Sequence, residues 1–432
     1  MKIIPQERFK GKILPQLINR RKKDEGSVSS SVRKIVNDVK ENGNEALFRY
    51  TQKFDGVLLS ESEMKATKSD FKEAYNQLKK RQVDALKKAA KNILRFHKRQ
   101  MVDPWSQEIE EGVTVGRITR PLSSIGVYVP GGRASYPSSL LMCAIPAAVA
   151  GVPKTIACCP PKKTGEIDPA LLVAADLSEV TEVYSIGGAQ AIAAMAYGTE
   201  TVPQVDKIVG PGNAFVTAAK MEVSRDVAID LPAGPSEILI IADETADPRF
   251  IASDLLAQAE HDPQALTILL TPSQEIASAV KEEVDKQMKS LSRIQTVRSS
   301  MERWGLIVVL KDMEEVVSCT NSIAPEHLQI QTKSPKKILE KIQNAGAVFL
   351  GKYSPVAFGD YSSGLNHVLP TGGYAKIYSG LSTSDFLKTI NFLKCSKKGC
   401  QRLKKTTVTL AEMEGFDGHA KSVSIRDERN EN

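Results

Sequence analysis

The chain reads as an α/β protein of two similar halves, each a parallel sheet covered by helices on both faces, with a small N-terminal arm and a small helical C-terminal region. Three observations carry this. Short apolar runs at 125–129, 155–159, 182–186 and 207–209 alternate with helical stretches at 138–150, 189–197 and 213–225. Strands that read as continuous apolar runs are those buried on both faces. The order strand, loop, helix, strand then restarts at 238–242, with a helix at 248–260 and further runs at 266–270, 306–310, 328–331 and 347–350. Finally, 432 residues exceed what one core usually serves, roughly 250–300 residues.

In chain order, residues 1 to about 23 are polar and basic, too poor in apolar residues for a core of their own, and read as an arm. From Ser29 to Phe54, Val32, Ile35, Val36, Val39, Ala46, Leu47 and Tyr50 suit an amphipathic helix interrupted at Gly43. A longer helix is predicted from Ser69, its N-cap, to Gln100, with Phe71, Ala74, Leu78, Val83, Leu86, Ala90, Ile93 and His97 at helical spacing. The two α/β halves follow. From about Leu381 the chain reads as helix, Lys-rich turn, helix and tail.

The composition, 41 % hydrophobic and 25 % charged, is ordinary for a globular protein. No stretch approaches 18 apolar residues without a charge, and the first residues lack the apolar region of a signal peptide, so neither a membrane span nor export is expected. Six cysteines over this length form no disulfide framework and fit a reducing, cytoplasmic compartment. The net charge of +7 is spread in short runs such as Arg20-Arg21-Lys22-Lys23; nucleic acid, which calls for a clustered stripe, is not expected as a partner.

Histidine is the informative scarcity: His97, His261, His327, His367 and His419 are all there are. In the stretch Ser322-Ile-Ala-Pro-Glu-His-Leu328, Pro325 fixes its own φ and pushes Ala324 towards extended geometry, disfavouring helix. Glu326 and His327 then stand as an acid and a base at a loop-to-strand junction, before a stretch that alternates like a half-buried strand. Successive strand residues face opposite ways, so the two share a substrate only if the chain bends there, as Pro325 favours. Gln258 and His261, three apart at a helix end, share a face and could hold one ion; a helix-terminal histidine is equally a dipole partner. Asp360 and His367 flank a Ser-Ser-Gly loop, and Glu414 and His419 place another acid and histidine near the end. The 229–237 stretch, with Pro232, Gly234 and Pro235, is a rigid loop presenting Ser236, or a plain crossover. Glycine turns at 131–132, 187–188 and 210–212 suit phosphate approach to a helix N-terminus, as well as any tight βα turn. His97 reads as a packed or capping residue. Cys143, Cys158 and Cys159 fall in core segments, and Cys395 and Cys400 lack structural-zinc spacing.

Taken jointly, these stretches resemble the histidinol dehydrogenase family over nearly the whole chain. The blocks are Gly-Val-Tyr-Val-Pro-Gly-Gly (126–132), Gly-Gly-Ala-Gln-Ala-Ile-Ala-Ala (187–194), Gly-Pro-Gly-Asn-Ala-Phe-Val-Thr (210–217), Leu-Pro-Ala-Gly-Pro-Ser-Glu (231–237), Gln-Ala-Glu-His (258–261), Ala-Pro-Glu-His-Leu (324–328), Gly-Asp-Tyr-Ser-Ser-Gly-Leu-Asn-His-Val-Leu-Pro-Thr (359–371) and the Glu414…His419 tail. The resemblance implies two incomplete Rossmann-like domains and a cytoplasmic homodimer with shared active sites. It implies NAD and one Zn2+ per subunit in the four-electron oxidation of L-histidinol to L-histidine through an aldehyde. Family zinc ligands fall on Gln258, His261, Asp360 and His419. The acid–base residues fall on Glu326 and His327. Substrate contacts fall on Ser236, His327, His367 and Glu414, with the metal ligands lining the same pocket. NAD contacts fall on Tyr128, Gln190 and Asn213. On this basis 24–127 with 236–380 is expected as the main catalytic domain and 128–235 as the NAD-binding one. Residues 1–23 would be a dimer-contact arm, and 381–432 would complete the partner's site. Two other readings are a dehydrogenase of another small alcohol on the same scaffold and a zinc hydrolase; His367 and Glu414 argue against the first, and the glycine turns against the second.

Overall fold

The structure, a computed structural model, describes residues 1–20, 26–131, 135–231 and 234–426. Arg21 to Lys23, Gly132 and Pro232, singled out above, lie outside the described residues. After β1 (Lys2–Ile4) come β2 (Trp105–Glu110) and β3 (Val113–Pro121). Then follow β4 (Ser124–Tyr128), β5 (Lys154–Cys159), β6 (Glu182–Ser185), β7 (Lys207–Val209) and β8 (Ala228–Ile229). The second series is β9 (Glu237–Ala242), β10 (Leu266–Thr271), β11 (Gly305–Val309), β12 (His327–Gln331) and β13 (Ala347–Leu350), and β14 (Leu387–Cys395) comes last.

The chain divides into two compact units: residues 1–100 with 123–385, and residues 101–122 with 386–432. The first holds two parallel sheets, ordered β6-β5-β4-β7-β8 and β1-β11-β10-β9-β12-β13. Leaving β1 aside, each places its first strand third, with the next two on one side and the last two on the other. This is one doubly wound topology used twice, with the switch beside β4 and beside β9. The expected pair of incomplete Rossmann-like halves is what forms.

The apolar runs have a direct physical reading. In β9, Ile238 and Ile240 enter one buried cluster with Ile251, Leu255 and Leu256 of the helix Pro248–Ala259. Leu239 and Ile241 enter the opposite one with Leu328 and Ile330. Both faces are covered, so both alternating sets must be apolar. Each fully buried aliphatic side chain contributes roughly 1.5–3 kcal/mol.

The N-terminal arm is anchored on its own chain: β1 adds to the edge of the larger sheet beside β11, and Ile4, Phe9 and Leu17 fill a buried cluster with Leu270 and Leu328. Three well-spaced apolar residues suffice when a neighbouring core receives them. Three other expectations are corrected. The helix Gly26–Asp55, kinked at Gly43 (φ +48°), packs not with the catalytic half but with the other, its Val32, Val36, Val39 and Leu47 joining Ile192, Met195 and Val205. The predicted 69–100 helix is two, Lys68–Gln77 and Lys80–Lys98. Thr67, not Ser69, is the N-cap, in a reciprocal capping box with Asp70, and extended Leu78 and Lys79 break the path. The C-terminal region is not wholly helical. In the second unit β14 pairs antiparallel along all of β3, which pairs with β2 in turn. Thr389, Ile390 and Phe392 favour strand over the helix read from the sequence. The helices Lys397–Met413 and Asp417–Ser424 complete that unit.

β12 is buried along its length rather than half-buried. Its Gln329 and Gln331 donate to the Asp254 carboxylate on the helix Pro248–Ala259, at 2.7 and 3.3 Å. Burial pushes the Asp254 carboxyl up to about 6, although Gln329 opposes this. A carboxyl raised on folding stabilises below its unfolded value near 4, and that contribution is lost as pH rises towards 6. Asp254→Asn keeps an acceptor for Gln329. It should raise stability by roughly 1–3 kcal/mol at pH 7.5 and by little at pH 4. Denaturant unfolding of both proteins at the two pH values checks this, and a loss at pH 7.5 would contradict it.

Candidate active site

The helix Met313–Ile323 leads into the acid–base stretch. Ala324 is not extended: at φ +52°, ψ +67° it is left-handed, and its N–H still bonds the Thr320 carbonyl at 2.9 Å. The helix therefore runs up to Pro325, whose ring forbids a right-handed residue ahead of it, and a left-handed cap ends it. Glu326 follows just before β12 and His327 opens it; both are buried, 5 % and 4 % exposed. The bend brings the side chains together, Glu326 Oε2 lying 3.5 Å from His327 Nδ1.

Glu237, at the start of the neighbouring β9, holds both. Its backbone N–H donates to Glu326 Oε2 at 2.7 Å, and its carbonyl lies 2.9 Å from His327 Nδ1. A carbonyl only accepts, so Nδ1 carries a proton, and in the neutral ring it is Nε2 that holds the lone pair. Nε2 is buried, without a hydrogen-bond partner, and 3.8 Å from Asp360 Oδ1. Burial alone would lower the His327 pKa. The Glu326 and Asp360 carboxylates and the Glu237 carbonyl outweigh it and raise the ring to about 9.

Asp360 lies on the short helix Val356–Tyr361, and its carbonyl accepts from His367 Nδ1 at 2.9 Å. His367 Nε2 meets Ser139 Oγ at 3.0 Å. Burial lowers the His367 pKa, with His327 and His261 close enough to add to the effect. Buried Gln258 and exposed His261 stand at the C-terminal end of the helix Pro248–Ala259, an end that favours positive charge. Ser236 directly precedes β9. His261 and Asp360 are an imidazole and a carboxylate, donor types that zinc takes, whereas the Gln258 amide is an uncommon one. Glu414 and His419 belong to the second unit, Glu414 capping the helix Lys397–Met413 and His419 lying in Asp417–Ser424, both exposed. Among the described residues no three His, Cys, Asp or Glu side chains gather closely enough to hold a metal. Of the expected ligands of those types, the first unit supplies two, His261 and Asp360.

The expected cofactor residues stand at the carboxyl ends of the other sheet. Tyr128 ends β4, and its hydroxyl accepts from Gly188 N–H at 3.1 Å. Gln190 is 1 % exposed, and neither atom of its amide has a partner. Such an orphaned buried group calls for a ligand to satisfy it. Asn213 has a local role as well, capping the helix Ala214–Val223 through Phe215 and Val216 N–H at 3.0 and 3.1 Å. The turn before it is gripped from both sides: Gly210 N–H donates to Asp230 at 2.7 Å, and its carbonyl accepts from Lys220 at 3.0 Å. Lys220 and Asp230 are themselves a buried ion pair. Cys143, Cys158 and Cys159 offer no nucleophile, since burial pushes their thiols upward, the last to about 12.

Ser139, Lys220, Asp230 and Glu237 were not legible as site residues. Only Glu237, closing a Pro- and Gly-rich block, carries a local signal. His97 is packed as expected, its Nδ1 2.6 Å from Gln100 Oε1 and its Nε2 beside Asn366, next to His367.

Fold and site together define an α/β protein with a buried acid–base pair at the start of one parallel sheet and glycine turns at the strand ends of a second. Residues 18–427 match the family model described as histidinol dehydrogenase. The chain is 49 % identical over 413 residues to the histidinol dehydrogenase of Methanothermobacter thermautotrophicus, covering 96 % of each. It is 50 % identical over 398 residues to that of Archaeoglobus fulgidus, covering 92 % of this chain and 95 % of the other. The crystal structure of histidinol dehydrogenase from Elizabethkingia anophelis superposes with a TM-score of 0.94 at 39 % identity, covering 99 % of this chain and 98 % of that one. The chain belongs to the histidinol dehydrogenase family.

A Cβ on Gly210 would stand 2.1 Å from the Tyr128 carbonyl oxygen, at a φ of +116°. Gly210→Ala should therefore destabilise the protein by about 2 kcal/mol or more and weaken dinucleotide binding. Thermal unfolding and NAD titration measure the two, and an unchanged NAD affinity would remove this turn from the cofactor site.

Proposed function

We propose that this enzyme oxidises L-histidinol to L-histidine by way of L-histidinaldehyde in the cytoplasm, with two NAD as hydride acceptors. The observation that carries this reading is His327 Nε2: a buried ring nitrogen without a partner, the base of the neutral ring, backed by a proton-bearing Nδ1 and flanked by Glu326. In the first oxidation Nε2 takes the hydroxyl proton as hydride leaves the same carbon, giving the aldehyde. Glu326 then takes a proton from water as it adds to the aldehyde carbon, while His327 returns its proton to the carbonyl oxygen, giving the hydrate. The hydrate loses its second hydride while His327 again receives a hydroxyl proton, and the carboxylic acid results. The buried site keeps the reactive aldehyde from bulk water between the two steps.

Gln258, His261 and Asp360 would hold zinc, with His419 of the partner subunit completing the set in a homodimer. The ion would supply a Lewis-acidic anchor for the imidazole and amine of the substrate, zinc having no redox chemistry of its own. Ser236, His367 and the partner subunit's Glu414 would orient the substrate around it. Tyr128, Gln190 and Asn213 would bind NAD, in the 128–235 half. Three things support this: the orphaned Gln190 amide, the exposure of Glu414 and His419 on a unit of their own, and family membership.

Purified enzyme given L-histidinol and NAD should produce about two NADH per substrate, lose activity on chelation and regain it with zinc. No NADH would sink the dehydrogenase reading, and one NADH per substrate would sink the four-electron version. Subunits carrying His261→Ala, inactive alone, should recover part of the activity when co-refolded with His419→Ala subunits. Only a site shared between chains can be rebuilt in this way, so a mixture as inactive as its components would argue against the shared site.

A further inference from the structure

The pair that handles protons rests on one residue that neither touches solvent nor faces the donor set. Glu237 meets Glu326 and His327 through its backbone, and its side chain is tied just as firmly. Arg20 grips its carboxylate with two parallel bonds, Nε to Oε1 at 2.6 Å and Nη2 to Oε2 at 2.7 Å, both side chains being largely buried. The same carboxylate accepts from the backbone N–H groups of Gly372 at 3.1 Å and Glu326 at 3.4 Å. Arg20 Nη1 donates to the carbonyl of Ile323, the last residue of the helix ahead of the acid–base stretch, at 3.0 Å, and to that of Leu17. One guanidinium thus ties the helix end, the start of β9 and the N-terminal segment together, and Glu237 passes that fixation to both reactive side chains.

We propose that Arg20 and Glu237 are positioning residues for the reaction. The guanidinium fixes the Glu237 backbone, whose N–H holds the Glu326 carboxylate and whose carbonyl sets the His327 tautomer. Planar bidentate geometry is what suits Arg to this position, because an ammonium reaches one carboxylate oxygen well, not two plus a carbonyl. A neutral substitute at Arg20 leaves the β9 start free to rotate. His327 Nε2 then drifts from the hydroxyl it must deprotonate, and small misplacements of reacting groups cost turnover steeply. Substrate anchoring depends on other side chains and changes little, so the effect falls on kcat rather than KM.

This inference rests on the reading of Glu326 and His327 as the acid–base pair, and the experiment separates the two. Steady-state kinetics with L-histidinol and NAD would be measured for Glu326→Gln, His327→Asn, Arg20→Lys and the double variant Arg20→Met/Glu237→Gln. The double variant removes both charges at once, so no bare charge is left buried, and its fold is checked by thermal unfolding and circular dichroism. Expected is a kcat at least 10-fold below the parent in the folded double variant, with KM for L-histidinol within about 3-fold, and an intermediate kcat for Arg20→Lys. A folded double variant with kcat within 2-fold of the parent overturns the positioning role, as does a rise in KM at constant kcat. If the double variant does not fold, Arg20→Lys decides: an intermediate kcat at unchanged KM supports the role, and parental kcat overturns it. Turnover retained in both Glu326→Gln and His327→Asn would instead overturn the underlying reading of the site.

Discussion

The junction between the starts of β9 and β12 is the contact on which the site depends. Here the backbone N–H and C=O of Glu237 reach two side chains at the neighbouring strand's start. The N–H meets a carboxylate and the C=O meets a ring nitrogen, so the backbone of one residue fixes the orientation of Glu326 and the tautomer of His327. Because that residue belongs to a strand buried on both faces, it is held by the core rather than by a loop. That is the condition under which a reactive group stays within fractions of an ångström of its working position.

Burying so much charge is costly unless each group is matched. The structure meets that demand with pairs that also shape backbone. Arg20 neutralises Glu237 and caps a helix end; Lys220 neutralises Asp230, and together they grip both polar groups of Gly210. The polar atoms left unpartnered are equally informative. His327 Nε2 and both atoms of the Gln190 amide are buried without a partner, one at each parallel sheet.

The two sheets share a topology but work at opposite edges. In the smaller sheet the residues expected to meet the dinucleotide follow the carboxyl ends of β4, β6 and β7, the usual place in doubly wound sheets. In the larger one the acid–base pair, Ser236 and the end of the helix bearing Gln258 and His261 all stand where β9, β10 and β12 begin. One doubly wound pattern therefore presents the two sets of residues at opposite edges, and nothing in a hydrophobic period reveals at which edge a set falls.

The sequence alone determined the class of fold, because a strand covered on both faces must be apolar at every position and the runs at 125–129 and 238–242 could be little else. It also determined the ordered blocks that place Glu326, His327, Gln258, His261 and Asp360 in the histidinol dehydrogenase family. Tertiary structure decided what local patterns do not encode. Ala324 looked extended because Pro325 follows it, yet a helix ending there made it left-handed. Gln329 and Gln331 looked half-solvated, yet Asp254, some 75 residues away in sequence, accepts from both amide nitrogens in the interior. The first twenty residues looked too polar to pack, yet a sheet edge and a buried carboxylate 217 residues distant give Phe9 and Arg20 their places. Spacing reads the partners a residue has along its own helix or strand; a partner on another element is set only when the chain closes.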